Sequence, residues 1–227
     1  MTAISDSSKS NFLAAAWRDL VVINYEVAPQ SLAARIPAGT ELDLFEGRAL
    51  VSAVGFQFLD TRLRGVAIPF HRNFDEVNLR FYVKRQVGDE VRHGVVFIRE
   101  LVGPPFVALI ARLAYNEPYE TAPVRRVASV PAGRIEYAWG RGRIGATAAN
   151  TPAIPAVGSE QAFVTQRHWG YTRQRDGSTI EYHVTHPPWR VCDAAEAIFV
   201  PDAPGGSPVS AYLVDGSAVE VTAPSRV

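Results

Sequence analysis

The chain has 227 residues, of which 47% are hydrophobic and 20% are charged, a composition typical of one globular domain with a sizeable core. Basic and acidic residues number 23 each, so the formal net charge is zero. A neutral chain lacks the long-range field that attracts nucleic acid or an anionic membrane surface, and we expect neither partner. No apolar run approaches the roughly 20 residues that a membrane-spanning helix needs.

The cysteine content and the N-terminal sequence indicate the cellular compartment of the protein. Cys192 is the only cysteine, which excludes an internal disulfide and a zinc site of several thiolates. Residues 1–12 are polar and lack the basic stretch and apolar core of an export signal. We therefore expect a cytoplasmic protein with a flexible N-terminus at 1–12 and a single domain at 13–227.

Turn residues between alternating or β-branched runs predict β hairpins. The predicted turns lie at Glu46–Gly47, Val87–Asp89, Asp176–Gly177 and Asp215–Gly216. Helix signals are fewer and cover residues 28–37, 104–115 and 193–199. This balance predicts a mainly β fold (β-rich α+β), in which a curved antiparallel sheet closes into a cone or barrel around a cavity, with a few short covering helices.

One predicted strand, EVNLRFYV at residues 76–83, has a polar and an apolar face. Side chains alternate along a strand, so Glu76, Asn78, Arg80 and Tyr82 share the polar face. An arginine fork beside oriented hydrogen-bonding groups suits a small carboxylate or carbonyl ligand. If this face lines the interior, Arg80 is the candidate anion anchor, Glu76 the candidate catalytic acid or base, and Asn78 and Tyr82 bind ligand. The alternative is a structural ion pair between Glu76 and Arg80.

Four further ligand-binding candidates lie near the ends of predicted elements. Arg99 and Glu100 stand where the next strand leads into a helix, a favoured place for functional sites. Tyr115 and Tyr119 flank a polar turn that would cover the mouth of a pocket. A surface ion pair and a plain helix end are the respective alternatives.

Two other patterns favour structural roles. His183 and His186 would point to opposite faces of a strand, so they could not share a metal ion without a bulge. Residues 140–145 (GRGRIG) match a dinucleotide-binding fingerprint, but no helix pattern follows, and a hairpin is favoured. We therefore predict no metal and no cofactor.

Several blocks of the sequence resemble a known family. They are residues 17–39 (WRDLVVINYEVAPQSLAARIPAG), 76–83 (EVNLRFYV), 94–102 (GVVFIRELV), 186–189 (HPPW) and 212–221 (YLVDGSAVEV). Together they resemble the YqjF-like family of uncharacterised proteins, in the acetoacetate-decarboxylase-like superfamily. The resemblance implies a curved antiparallel sheet that closes into a cone or barrel around a cavity.

The link to the decarboxylase itself is distant and rests on Arg99-Glu100-Leu101 and Ile68-Pro69. In that enzyme a lysine shortly after the Arg-Glu-Leu block forms a Schiff base, whereas residues 104–106 here are Pro-Pro-Phe. The glutamate expected before the Ile-Pro block is also missing, since residues 61–64 are TRLR. Lys9 and Lys84 are the only lysines, and Lys84 falls near a hairpin end. Decarboxylation by the lysine route is therefore not expected.

The sequence favours a protein that binds a small molecule, with an enzyme acting on a carboxylate or carbonyl compound as an extension of that hypothesis. Such an enzyme would be a lyase or hydrolase-like catalyst without a Schiff-base lysine. The competing hypothesis is a non-catalytic structural or interaction protein with a barrel filled by its own side chains, and a metal-assisted enzyme is third. An interior cavity would distinguish the first two. The sequence leaves open whether the chain forms a homo-oligomer.

Overall fold

The computed structural model describes residues 11–67, 71–200 and 206–227. Most of the segment expected to be flexible, and Ile68 and Pro69 of the decarboxylase-like block, lie outside these residues. The first strands are β1 (Asn11–Val27), β2 (Glu41–Leu42), β3 (Ala49–Leu63), β4 (Val66–Ala67), β5 (Phe74–Val87) and β6 (Glu90–Val102). Helix α1 (Pro105–Tyr115) is followed by β7 (Tyr119–Thr121), β8 (Arg125–Arg126), β9 (Arg134–Trp139) and β10 (Gly142–Ala148). Helix α2 (Glu160–Thr165) precedes β11 (Trp169–Arg173), β12 (Thr179–Thr185), β13 (Val191–Val200), β14 (Ser210–Thr222) and β15 (Ser225–Arg226).

The strands form one curved sheet whose central part closes on itself. Neighbours pair in the order β12–β11–β6–β5–β3–β1–β14, and a further pairing of β12 with β14 completes a ring. The mainly β architecture and the curved sheet predicted from the sequence are confirmed. The sheet is not wholly antiparallel, because β11 and β7 both run parallel to β6.

A second layer covers part of the outer face of the ring. From β14 the sheet continues through β13, β10 and β9 to β8. Val21 and Ala53 on the outer faces of β1 and β3 pack against Tyr137 of β9 and Ile144 of β10. These strands therefore have one face in an outer apolar layer and the other toward the interior of the ring.

Strand β5 shows the alternation that the sequence predicted. Val77 and Phe81 lie in the outer apolar clusters. The intervening Glu76, Asn78 and Arg80 line the interior. The polar face of this strand therefore points into the molecule and away from bulk water.

Three hairpins have the predicted turns. β5 and β6 pair across Gly88–Asp89, β11 and β12 pair across Asp176–Gly177, and Gly140–Arg141 joins β9 to β10. At Glu46–Gly47 the chain also reverses tightly, with positive φ angles of 48° and 80°. The short strand before that turn, β2, pairs with β5 rather than with β3.

The hairpin predicted at Asp215–Gly216 is wrong, because both residues lie inside the continuous strand β14. Gly216 has a φ of 73°, and a Cβ there would overlap the carbonyl oxygen of Trp17 on β1. Glycine is needed at this position for the close approach of two backbones and not for a chain reversal.

The helix predictions had mixed outcomes. Residues 105–115 form α1 as predicted, whereas residues 28–37 form only two 3₁₀ turns, Pro29–Ser31 and Ala33–Arg35. The helix predicted at 193–199 is wrong, because this segment belongs to β13 and pairs with β10 and β14. Pairing with β14 at Asp193 and with β10 from Ala194 onward outweighs the helix propensity of its alanines. Within the described ranges, neither helix is long and apolar enough to cross a membrane.

Gly170 of β11 controls the position of a tyrosine on the neighbouring strand. It lies opposite Tyr182, and a Cβ at Gly170 would overlap the Tyr182 ring and hydroxyl group. We expect Gly170→Ala to lower the free energy of unfolding by roughly 1–3 kcal/mol, because the ring must leave its packed position. Urea unfolding measures this, with Gly103→Ala as control, since the nearest atom to its added Cβ is 3.8 Å away. Equal stability of the two variants would contradict the expectation.

Candidate functional site

A cavity of about 130 Å³ lies inside the ring of strands. This is close to the roughly 150 Å³ that accommodates a benzene molecule in an apolar protein core. Most of the wall is apolar, and its large side chains include Trp17, Phe56, Phe58, Phe74, Phe97 and Trp189. The interior is therefore not filled by its own side chains.

One end of the cavity is acidic. Glu76, Glu100 and Glu117 come from β5, from β6 and from the link between α1 and β7, and their exposed fractions are only 2%, 1% and 7%. Glu76 Oε1 accepts a hydrogen bond from Asn78 Nδ2 at 3.0 Å, and Glu76 Oε2 accepts one from the Tyr119 hydroxyl group at 3.3 Å. Two wall residues thus hold the Glu76 carboxyl group in one orientation.

The third glutamate is held by the opposite wall. Glu117 Oε1 accepts hydrogen bonds from the hydroxyl groups of Tyr182 and, at 3.4 Å, Thr172. The Tyr182 ring packs edge-on against Tyr115, with 4.9 Å between the ring centroids. Residues of β11, β12 and α1 therefore complete the acidic end.

Burial changes the protonation of these carboxyl groups. It raises the pKa of Glu76 and of Glu117 to about 7, and it raises the pKa of Glu100 well above its ordinary value. Desolvation is the main cause, and the charge of Glu117 adds to it for both Glu76 and Glu100. Carboxyl groups that titrate near neutral pH are suited to general acid and base chemistry.

The other end of the cavity is basic. Arg80 Nη2 donates a hydrogen bond to the Val164 carbonyl oxygen of α2 at 3.1 Å, and no ion pair of Arg80 occurs in the described part of the chain. Arg167, in contrast, is paired with Asp43, with 2.5 Å between Nη1 and Oδ2. His186 stacks on Trp189, and burial lowers the pKa of His186. The ion pair between Glu76 and Arg80 that the sequence allowed is not formed.

Unsatisfied polar atoms are concentrated at the cavity. Several buried side-chain atoms of its wall have no hydrogen-bond partner within the described protein: Trp17 Nε1, Thr61 Oγ1, Asn78 Oδ1, Arg80 Nε and Glu100 Oε2. Each such atom costs roughly 1–3 kcal/mol when it stays unpaired. A polar molecule in the cavity would supply the missing partners.

The structure brings most of the predicted site residues together. Six of them line the cavity, namely Glu76, Asn78, Arg80, Glu100, Tyr115 and Tyr119. Arg99 faces outward, where it pairs with the exposed Glu120 at 2.8 Å. Tyr82 is buried but does not line the cavity.

Tyr82 belongs to a polar row that crosses the inner face of the sheet. The Tyr82 hydroxyl group and Ser52 Oγ are 2.5 Å apart, and Ser52 Oγ donates to Asn24 Oδ1, also at 2.5 Å. Asn24 Nδ2 donates to Ser210 Oγ at 2.8 Å, and Ser210 donates to Glu160. The row therefore ties strands β5, β3, β1 and β14 to helix α2, whose Val164 carbonyl group holds Arg80.

Some residues that line the cavity were not predicted from the sequence. Glu117 lies inside the predicted polar turn between Tyr115 and Tyr119, so its acidic character was a usable signal. Tyr182 and Trp17 come from strands distant in sequence and carry no local signal. His168 and His186 approach to 4.6 Å between ring centroids, but no metal-binding group of three or more side chains occurs among the residues described.

Replacing Glu117 by glutamine tests how much stability the protein loses when the buried Glu117 carboxyl group ionises. The unfolded chain loses this proton near pH 4.5 and the folded chain near pH 7, so the folded state binds more protons between these values. The free energy of unfolding therefore falls as pH rises through this window. Glutamine cannot ionise but still accepts from Tyr182, so we expect Glu117→Gln to be more stable than the native chain by roughly 1–3 kcal/mol at pH 8.

At pH 4 the native chain and Glu117→Gln should have similar stability, because Glu117 is then protonated in the folded chain. Urea unfolding at both pH values measures the difference, and Glu120→Gln on the exposed surface is the control. A stability gain that is equal at pH 4 and pH 8 would contradict a buried ionisation as its cause.

Solved structures share this architecture. Acetoacetate decarboxylase from Legionella pneumophila superimposes with a TM-score of 0.70 at 13% identity, over 100% of this chain and 92% of that chain. An acetoacetate-decarboxylase-like enzyme from Sphingomonas wittichii RW1 has a TM-score of 0.63 at 13% identity, over 99% and 96% of the two chains. The enduracididine biosynthesis enzyme MppR complexed with pyruvate also scores 0.63, at 11% identity, over 98% and 93%. At these identities the likeness establishes the fold and not the activity.

A relative and a family match agree with the resemblance seen in the sequence. The uncharacterised protein YqjF from Bacillus subtilis (strain 168) is 27% identical over 192 residues, which are 81% of this chain and 76% of that protein. The signature of the DUF2071 family, described as an uncharacterised conserved protein, matches residues 14–205. The chain therefore belongs to the DUF2071 family and has the acetoacetate-decarboxylase-like fold.

Proposed function

We propose that this chain binds a small carboxylate or carbonyl compound in its cavity and that Glu76 exchanges a proton with the bound molecule. The observation that carries the proposal is Arg80, whose guanidinium group lines the cavity with no ion-pair partner among the described residues and with a buried, unpartnered Nε. Arg80 is partly buried, and a cation withdrawn from water without an ion-pair partner is costly, so an anionic ligand would compensate it.

The guanidinium group of Arg80 suits a carboxylate. Its planar fork presents parallel N–H donors that match the two oxygens of a carboxylate. Val164 uses one donor, and Nε remains unpartnered within the described protein. Charge-assisted hydrogen bonds from Arg80 would therefore fix both the position and the orientation of the ligand.

Glu76 is the candidate acid or base. Its carboxyl group lies on the same strand face as Arg80, and Asn78 and Tyr119 hold it in place. Because burial raises its pKa to about 7, both protonation states are populated near neutral pH. A fixed carboxyl group of this kind can remove a proton from a carbon atom next to a carbonyl group and return it.

The proposed chemistry does not use a Schiff base. Lys84 Nζ pairs with Glu41 at 3.4 Å and does not line the cavity, while Lys9 lies outside the described residues. At the position where the decarboxylase resemblance places a lysine, this chain begins helix α1 with Pro105 and Phe106. The proposed step is therefore proton exchange, and a lyase or hydrolase-like activity built on it would rely on acid–base groups alone.

Two further observations support small-molecule binding. The cavity argues against the competing hypothesis of an interior filled by side chains. The similar structure of MppR is described as a complex with pyruvate, which makes 2-oxo acids suitable first probes.

The neutral net charge and the single buried cysteine, Cys192, support a cytoplasmic protein without nucleic-acid partners.

Arg80→Ala tests the anion anchor. We expect binding of pyruvate and 2-oxopentanoate to weaken at least about thirtyfold, because removal of one partner of a buried charge pair costs about 2–5 kcal/mol. The melting temperature should change little, because Arg80 makes a single hydrogen bond within the described protein. Titration calorimetry and thermal melts measure both quantities.

Arg72→Ala, which removes an exposed arginine paired with Asp60, is the matched control and should bind like the native chain. As a ligand control, 2-pentanone lacks the carboxylate and should bind equally to the native chain and to Arg80→Ala. A large loss of stability in Arg80→Ala with unchanged affinity would make Arg80 a structural residue.

Glu76→Gln tests proton exchange. With 2-oxopentanoate in D₂O, the native chain should catalyse deuterium incorporation at the carbon next to the carbonyl group, and Glu76→Gln should reduce this rate by about 10²–10⁴-fold. Proton NMR measures the exchange. Equal rates in the two proteins would remove Glu76 from the chemistry, whether or not the ligand binds.

A further inference from the structure

We infer that the acidic end of the cavity binds a cationic group of the ligand, so that the ligand is a short amphoteric molecule with a carboxylate at Arg80 and an ammonium group beside Asn78 and Glu100. This inference rests on the proposed function for its anionic end. Its own basis is a second set of unpartnered atoms, which lie beside the acidic groups.

Two buried oxygen atoms without partners define the subsite. Asn78 and Glu100 are direct neighbours across β5 and β6, and their exposed fractions are 3% and 1%. Asn78 Nδ2 is committed to Glu76, which leaves Asn78 Oδ1 free to accept. Glu100 Oε2 is also buried without a partner in the described protein, and both residues line the cavity. With Glu100 ionised, these two oxygen atoms therefore lack a hydrogen-bond donor among the described residues.

The surrounding charge favours a cationic donor over a neutral one. Three carboxyl groups share this end: the charge of Arg80 acts on Glu76 without an ion pair, and in the described part of the chain no lysine or arginine forms an ion pair with Glu100 or Glu117. An ammonium group carries three N–H donors, which suffice for Asn78 Oδ1 and Glu100 Oε2 together, and its charge balances an ionised carboxylate. A hydroxyl group has one donor and no charge.

The strand sets the spacing of two of the residues that would hold the two ligand groups. Asn78 and Arg80 are two residues apart on one face of β5, which corresponds to about 7 Å along the strand. An α-amino acid carries both charged groups on one carbon atom, which suits binding residues spaced in this way less well than separated charges do. An ω-amino acid of four to six carbon atoms has separated charges, and its methylene chain would lie against Phe97, the residue opposite Arg80 on β6.

Matched probes of equal length test the inference: 5-aminopentanoate, pentanoate and 2-aminopentanoate, titrated calorimetrically at pH 7.5. We expect 5-aminopentanoate to bind the native chain at least about tenfold more tightly than either of the others, as one charged hydrogen-bonded group implies. In Glu100→Gln that advantage should fall below about threefold, while the affinity for pentanoate stays within about twofold. Glu120→Gln on the surface should retain the advantage.

The outcomes separate this inference from the proposed function. Equal affinity for pentanoate and 5-aminopentanoate, with both lost in Arg80→Ala, would overturn the cationic subsite and leave the anion anchor intact. Binding of neither probe at millimolar concentration would overturn both proposals. If Glu100→Gln does not fold, the comparison of the three probes on the native chain decides alone.

Discussion

Desolvation of three glutamate side chains inside the closed ring of strands is the constraint that organises this molecule. An ionised carboxylate removed from water costs several kcal/mol unless a partner compensates it. Hydrogen bonds from Asn78, Tyr119 and Tyr182 recover part of this cost, yet the pKa values of the carboxyl groups remain raised. Apolar side chains of the same volume would lower the free energy of the folded state at these positions. The presence of buried acids is therefore better explained by function than by stability.

The basic end of the cavity depends on a different set of contacts. Helix α2 provides the Val164 carbonyl group that orients Arg80, and Arg167, just after α2, is fixed by Asp43. The helix is in turn attached to the sheet by the buried polar row that ends at Glu160. The orientation of Arg80 therefore depends on Val164 and on the buried polar row, neither of which lines the cavity.

The fold and the chemistry of this protein have separate origins. The closed sheet is shared with acetoacetate decarboxylase and related enzymes, but a fold of this kind hosts different reactions according to the side chains on its inner face. In this chain Glu100 of the Arg-Glu-Leu block lines the cavity, whereas the segment after the block contains prolines and no lysine. The closed sheet of this chain encloses a cavity lined by buried acidic groups and by an arginine that forms no ion pair within the described residues.

Local signals in the amino-acid sequence, namely period-two alternation and turn residues, were enough to predict the β-rich class and the polar face of residues 76–82, and the sequence blocks indicated the family. The sequence also predicted that Glu76, Asn78, Arg80 and Glu100 would share a site, although Arg99 turned out to face outward. Only the tertiary structure placed Glu117, Tyr182 and Trp17 at the cavity and made Asp215–Gly216 part of a continuous strand. These features depend on which distant strands become neighbours when the ring closes, and no local pattern of side chains encodes that pairing.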